Sequence, residues 1–165
     1  MDKIYQRIGE FVVSYQWIEN QLREIGWIII NPNHQKFPQM ELREESSFEL
    51  FQEFEKLFLE ALSKCQLPLD LENDFRSSLK EHKELFHNLR KSRNNILHSA
   101  YLELKGGDEV LAIVRSNPKI NKKTMQIDNE ILTEKSFTHE MQNMSKLALF
   151  LGRCKMQLIH CLPRD

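Results

Sequence analysis

The residues with the clearest chemical content lie together in the stretch Arg90-Lys91-Ser92-Arg93-Asn94-Asn95-Ile96-Leu97-His98. A histidine moves protons at neutral pH, because its ordinary pKa is the one nearest the working range. An arginine offers a planar fork that pairs with two phosphate oxygens at once. Together, the two types suit cleavage of a phosphodiester without a metal. The neighbouring 2′-hydroxyl attacks phosphorus, one group handles the proton, and a cation stabilises the crowded phosphoryl oxygens. In that chemistry His98 would be the general acid or base and Arg93 the phosphate clamp. Asn94 orients His98 or donates to the phosphate. Arg90 and Lys91 extend the positive patch, and Lys119, Lys122 and Lys123 supply a second set of cations for an RNA backbone.

These residues belong to a helix whose apolar stripe runs Phe75, Leu79, His82, Phe86, Leu89, Arg93, Ile96 and Ala100, in steps of four and three. Arg93 occupies a stripe position where a leucine would pack better, and a guanidinium facing a core needs a partner. Arg90, Asn94 and His98 form a separate polar line, each four residues from the next. Arg93 and His98 are five apart, roughly 140° around an ideal helix, so they do not sit side by side on one straight helix.

An arginine followed by a polar residue, with a histidine after four intervening positions near the end of a bundle helix, resembles the signature of HEPN domains (higher eukaryotes and prokaryotes nucleotide-binding). Here the signature is Arg93, Asn94 and His98. The resemblance extends over the helical layout of residues 1–165. It implies a metal-independent endoribonuclease without cofactor, of the kind found in toxin–antitoxin and phage-defence systems. It also implies a homodimer whose two motifs share one cleft, RNA as substrate, and an antitoxin or other regulatory protein as a partner. Its remaining hallmark, an acidic residue in an earlier helix, falls on Glu19, at the border of the first helix's apolar face, with Glu10 and Glu24 as weaker candidates. Cleavage would leave 2′,3′-cyclic phosphate and 5′-hydroxyl ends. A non-catalytic HEPN-like binding or dimerisation module is the alternative, and an unrelated helical scaffold is a third reading.

Plainer roles compete residue by residue. Arg93 could serve a structural salt bridge to the first helix. His98 could be a helix C-terminal histidine satisfied by the last carbonyls. His82 reads as a hydrogen-bonded core or interface histidine, His87 as solvated, and Trp17 and Trp27 as packing residues, with a dimer surface as the alternative for either tryptophan.

The elements that position the motif follow from periodicity. Ile4, Ile8, Phe11, Tyr15, Ile18, Leu22, Ile25 and Ile29 mark one long amphipathic helix, stopped at Asn31-Pro32. A polar loop follows. A second helix opens at Ser46 or Ser47 with Phe48, Phe51, Phe58, Leu62 and Cys65 on one side and closes at Pro68. The motif helix spans about residues 70–100. A β-hairpin over about 101–115 turns at Lys105-Gly106-Gly107-Asp108, residues 116–121 read as loop, and residues 125–127 as extended. A last helix covers about 133–162 with Phe137, Met141, Met144, Ala148, Leu151 and Leu158 inward. The expectation is a single all-α domain, a four-to-five-helix bundle with a small hairpin inserted.

Composition bounds the rest. The 165 residues suffice for one core, and only five glycines and five prolines favour helices over tight turns. The net charge of −1 leaves RNA binding to local patches. Cys65, Cys154 and Cys161 are odd in number, without paired spacing, and read as small core residues of a reducing compartment. No leader, membrane span, Walker loop, G-x-S-x-G elbow or H-E-x-x-H helix is visible, so a cytoplasmic protein without a metal is expected.

Overall fold

A computed structural model describes residues 2–31, 46–121 and 124–162, with the side chains of 2, 119–121 and 124–126 left aside. Four helices, α1 (Asp2–Ile30), α2 (Ser47–Lys64), α3 (Leu69–Leu97) and α4 (Thr138–Cys161), pack as a bundle. Between α3 and α4 lies an antiparallel sheet in the order β1 (Ala100–Gly106), β2 (Glu109–Asn121), β3 (Thr124–Leu132).

Side-chain pairs set the helix directions. Glu24 meets Lys155 at 2.6 Å and Phe11 meets Phe137, so α1 and α4 run parallel. Phe51 stacks near Phe86 and Phe58 near Phe75, so α2 opposes α3. Asp74 pairs with Arg153 at 2.7 Å and His82 stacks on Phe150, so α3 opposes α4. The 29-residue α1 and α3 run the length of the bundle. By contrast, the 18-residue α2 begins beside Glu19, part-way along α1.

The stripes bury as their spacing demands. Phe11, Tyr15, Ile18, Leu22 and Ile25 of α1 meet Phe51, Phe54, Phe58 and Leu62 of α2, Phe75, Leu79, Phe86 and Leu89 of α3, and Leu147, Leu151 and Leu158 of α4. Rings dominate the α1–α2–α3 seam, and each such pair adds about 0.5–1.5 kcal/mol beyond its buried area. His82 fits its expected role, with Nδ1 2.7 Å from the Ser78 carbonyl and its ring flat on Phe150.

The insertion is larger than a hairpin over 101–115. Residues 116–121, expected as loop, continue β2, and β3 pairs with them from Asn121↔Thr124 to Ile113↔Leu132. Asn117-Pro118 looks like a turn in sequence, but β1 has already ended at Ala100↔Ser116. One side of β2 is therefore open there, where a proline without an N–H is tolerated. The turn is Gly107-Asp108, with Gly107 at φ 66°, and a register shift after Leu104 bulges the strand. Helix α3 stops at Leu97 instead of continuing to Ala100, because Ala100 and Tyr101 enter the sheet. Likewise, 133–137 form a turn closed by Ser136 Oγ accepting from the Thr133 N–H at 2.9 Å. Helix α4 starts only after Phe137, held at φ 69° with its ring buried against Phe11.

Three packing expectations change. Trp17 is half exposed at the α1–α4 border, beside Ala148, Leu149 and Gly152, because it lies off the buried stripe. Phe48 projects outward from the first turn of α2, where that helix has not yet entered the core. Of the cysteines only Cys154 is core; Cys65 and Cys161 are half-buried at helix ends, and all three are free thiols. No helix among the described residues is long and apolar enough to cross a membrane.

Candidate functional site

The motif lies on the last turns of α3, facing the segment of α1 that α2 leaves uncovered. Arg93 is half-buried, as its stripe position requires, with its guanidinium carbon 5.9 Å from the centre of the Tyr15 ring. Its Nη1 donates to Asn94 Oδ1 at 3.0 Å, and its Nε is buried without an acceptor. One turn earlier, Arg90 lies 5.4 Å from the centre of the Phe48 ring, and its Nε is likewise buried and unpartnered. Among the described residues neither guanidinium pairs with a carboxylate.

Glu19 is the one charged side chain among the described residues that is fully within the interior, at 9% exposure. It does not reach Arg93 as an ion-pair partner. Its carboxylate instead accepts a short hydrogen bond from Ser47 Oγ at the start of α2. The sequence nominated Glu19 through its border position, and the structure places it at the site with a different ligand. Between these groups sits the Tyr15 hydroxyl, buried and without a well-formed hydrogen bond. Burial first, and then the Glu19 carboxylate, push its pKa far up, while Ser47, Arg93 and Arg90 pull against them. Tyr15 is therefore a neutral phenol wedged among one anion and two cations.

The Asn94 side chain makes no hydrogen bond to His98 among the described residues; its Oδ1 accepts from Arg93. Its carbonyl accepts the His98 N–H at 3.0 Å, which makes His98 the C-cap of α3. The His98 ring is exposed and has no hydrogen-bond partner among the described residues. Arg93 and His98 thus share an end of α3 with no hydrogen bond between their side chains, in keeping with the roughly 140° between them. Lys91 is exposed on the flank. Lys119 lies in β2 with its side chain undescribed, and Lys122 and Lys123 lie outside the described residues.

His87 departs from the solvated role expected of it. Its ring packs against Phe48, Phe51 and Phe86, with centroids 5.1, 6.0 and 5.9 Å away, and its Nδ1 is buried without a partner. Burial, and then Arg90, Lys83 and Lys91, lower its pKa, against a weaker opposing effect of Glu55. The sequence held little signal for Tyr15, Ser47, Phe48 and His87. Each looks like an ordinary stripe or cap residue until three helices converge. Among the described residues no group of three or more His, Cys, Asp or Glu side chains is placed to hold a metal ion.

Comparison with protein-family models, with curated proteins and with solved structures gives no match for this chain.

Proposed function

We propose that this chain is a metal-independent endoribonuclease of the HEPN type, acting as a homodimer on RNA and held in check by an antitoxin or other regulatory protein. One observation carries the reading. Arg90 and Arg93 stand one turn apart with both Nε atoms buried and unpartnered, and neither pairs with a carboxylate among the described residues. Both residues are half-buried, so each keeps its charge without a carboxylate beside it. Two that are not neutralised form a ready receptor for an anion with several oxygens, which a phosphodiester supplies.

In the proposed reaction the substrate's 2′-hydroxyl loses its proton to a base as its oxygen bonds to phosphorus. The bond to the 5′-oxygen breaks, and that oxygen takes up a proton. His98, exposed at the helix end, performs one of these transfers in its neutral or protonated form. Arg93 and Arg90 stabilise the charge on the non-bridging oxygens, with Asn94 holding the Arg93 fork. Two copies about a twofold axis would bring two such motifs to one groove and so supply both an acid and a base. The second reading, a non-catalytic binding module, is favoured by one specific observation, that among the described residues no hydrogen bond joins the His98 ring to Arg93 or to the side chain of Asn94.

The deciding measurement is cleavage of end-labelled tRNA and mRNA in EDTA by the wild type, Arg93→Ala and His98→Ala. Wild type is expected to cut and leave 2′,3′-cyclic phosphate ends, with each variant slower by at least about 100-fold. Equal cutting by all three, or none by any, removes the enzyme reading and leaves the binding module.

A further inference from the structure

Phe48 is a large aromatic side chain with 42% of its surface exposed, on a helix whose other phenylalanines, Phe51, Phe54 and Phe58, are fully buried. Its exposure costs hydrophobic stabilisation that a buried phenylalanine would provide. The ring is nevertheless not loose. His87 lies 5.1 Å from it at 30° between the planes, and the Arg90 guanidinium carbon is 5.4 Å from its centre. His87 in turn is held by Phe51 and Phe86, and its lowered pKa keeps the imidazole uncharged at neutral pH. An open aromatic surface, backed by a second ring and crossed by a planar cation, is the arrangement on which unpaired nucleobases stack. Arg90 joins it to the unpaired arginines, so a base lying on Phe48 would carry its phosphate toward Arg90 and Arg93.

We infer that Phe48, with Arg90 and His87, is a base-stacking subsite for an unpaired nucleotide of single-stranded RNA, adjoining the phosphate held by the arginines. The inference rests on the ribonuclease reading and deepens it. The substrate class is single-stranded or looped RNA, because a base inside a duplex has no free face to offer the ring. Stacking on an aromatic face is tolerant of base identity, so the subsite fixes the position of the strand more than its sequence.

The test is equilibrium binding in EDTA, by fluorescence anisotropy, in the His98→Ala chain so that RNA stays intact. The probes are a labelled single strand of about twelve nucleotides, the same strand with its bases removed at internal positions, and its duplex. Phe48→Leu keeps the apolar contact with His87 and guards against a folding defect, checked by circular dichroism. It is expected to weaken single-strand binding by about 5- to 100-fold, with Phe48→Trp close to the parent. The abasic strand is expected to bind weakly and to be insensitive to Phe48→Leu, and the duplex to bind more weakly than the single strand. Unchanged affinity in Phe48→Leu, or equal affinity for duplex and single strand, overturns the subsite. If Arg93→Ala in the same background still weakens binding, the ribonuclease reading survives that result. No binding of any RNA by the parent chain brings both down, and capture of Phe48 by a protein partner instead would appear as that outcome.

Discussion

At the residue scale, the site is organised around charges that are kept apart. Glu19 is occupied by Ser47, Arg93 by Asn94 and the Tyr15 ring, and Arg90 by the Phe48 ring. Cation–π contacts of this kind contribute about 0.5–2 kcal/mol, enough to hold a guanidinium in place but less than a desolvated anion would give. His87 is the titrating group in this cluster whose shift bears on stability. Its folded pKa lies below the ordinary 6.5, so between those two values the unfolded chain binds more protons than the folded one. Its contribution is therefore fully present above about pH 6.5 and is lost as pH falls through that value toward the folded pKa. Thermal melts at about pH 7.5 and about pH 5.5 are expected to show a larger drop for wild type than for His87→Gln. Equal drops would mean that the buried imidazole is not the source.

At the element scale, the position of the site depends on where α2 begins. Ser46 and Glu49 form a reciprocal cap, the Ser46 Oγ accepting the Glu49 N–H at 3.4 Å and the Glu49 carboxylate accepting the Ser46 N–H at 3.1 Å. The Ser46 contacts hold the Glu49 carboxyl below its usual range. That cap starts the helix one residue before Ser47 meets Glu19 and two before Phe48 meets Arg90. Ser46→Ala is expected to cost about 1 kcal/mol in urea unfolding, and Ser46→Asp close to nothing, since aspartate caps equally well. A loss of RNA binding alongside the stability change would tie the cap to the site; stability unaffected by Ser46→Ala would mean that α2 is positioned by its core face alone. The cap was readable from Ser46, Ser47 and Glu49 in sequence. The continuation of β2 through Pro118 was not, because its tolerance depends on β1 having ended two residues earlier, at Ser116.

At the scale of the whole molecule, the inward face of the sheet mixes polar pairs with two core residues. Glu103 meets the Tyr5 hydroxyl at 3.0 Å, Arg115 pairs with Glu130, and Ile113 and Leu132 are buried. The opposite face carries Leu102, Leu104, Val114, Ile127 and Ile131, of which all but Val114 are largely exposed. The run Val110-Leu111-Ala112-Ile113-Val114 accordingly reads as a strand suited to burial on both faces, while this chain covers one. These paired positions bear no charge, and a chain of net charge −1 repels its copy little, so this is the face at which the proposed homodimer is best tested. Light scattering across a concentration series is expected to show a dimer for wild type. For Leu104→Lys combined with Ile131→Lys, the dimer dissociation constant should rise by at least about tenfold, with cleavage lost in parallel. A variant that stays dimeric would move the interface elsewhere, the exposed Trp17 and Leu149 surface being the next place to look.

The sequence by itself determined the four helices, their buried stripes and the stretch carrying Arg90, Arg93, Asn94 and His98. These are local properties, written in periods of three and four and in capping residues, and they need no partner to be read. Only the tertiary structure decided that Glu19 serves Ser47, that Arg93 turns to Tyr15 and Asn94, and that His87 and Phe48 stand beside Arg90. Most of those contacts join residues far apart in the chain, such as Tyr15 and Arg93 or Phe48 and His87. Which of several nearby groups a charge finds is settled by the angle and height at which helices pack. That geometry follows from the whole core, to which every stripe contributes and which no single stretch encodes.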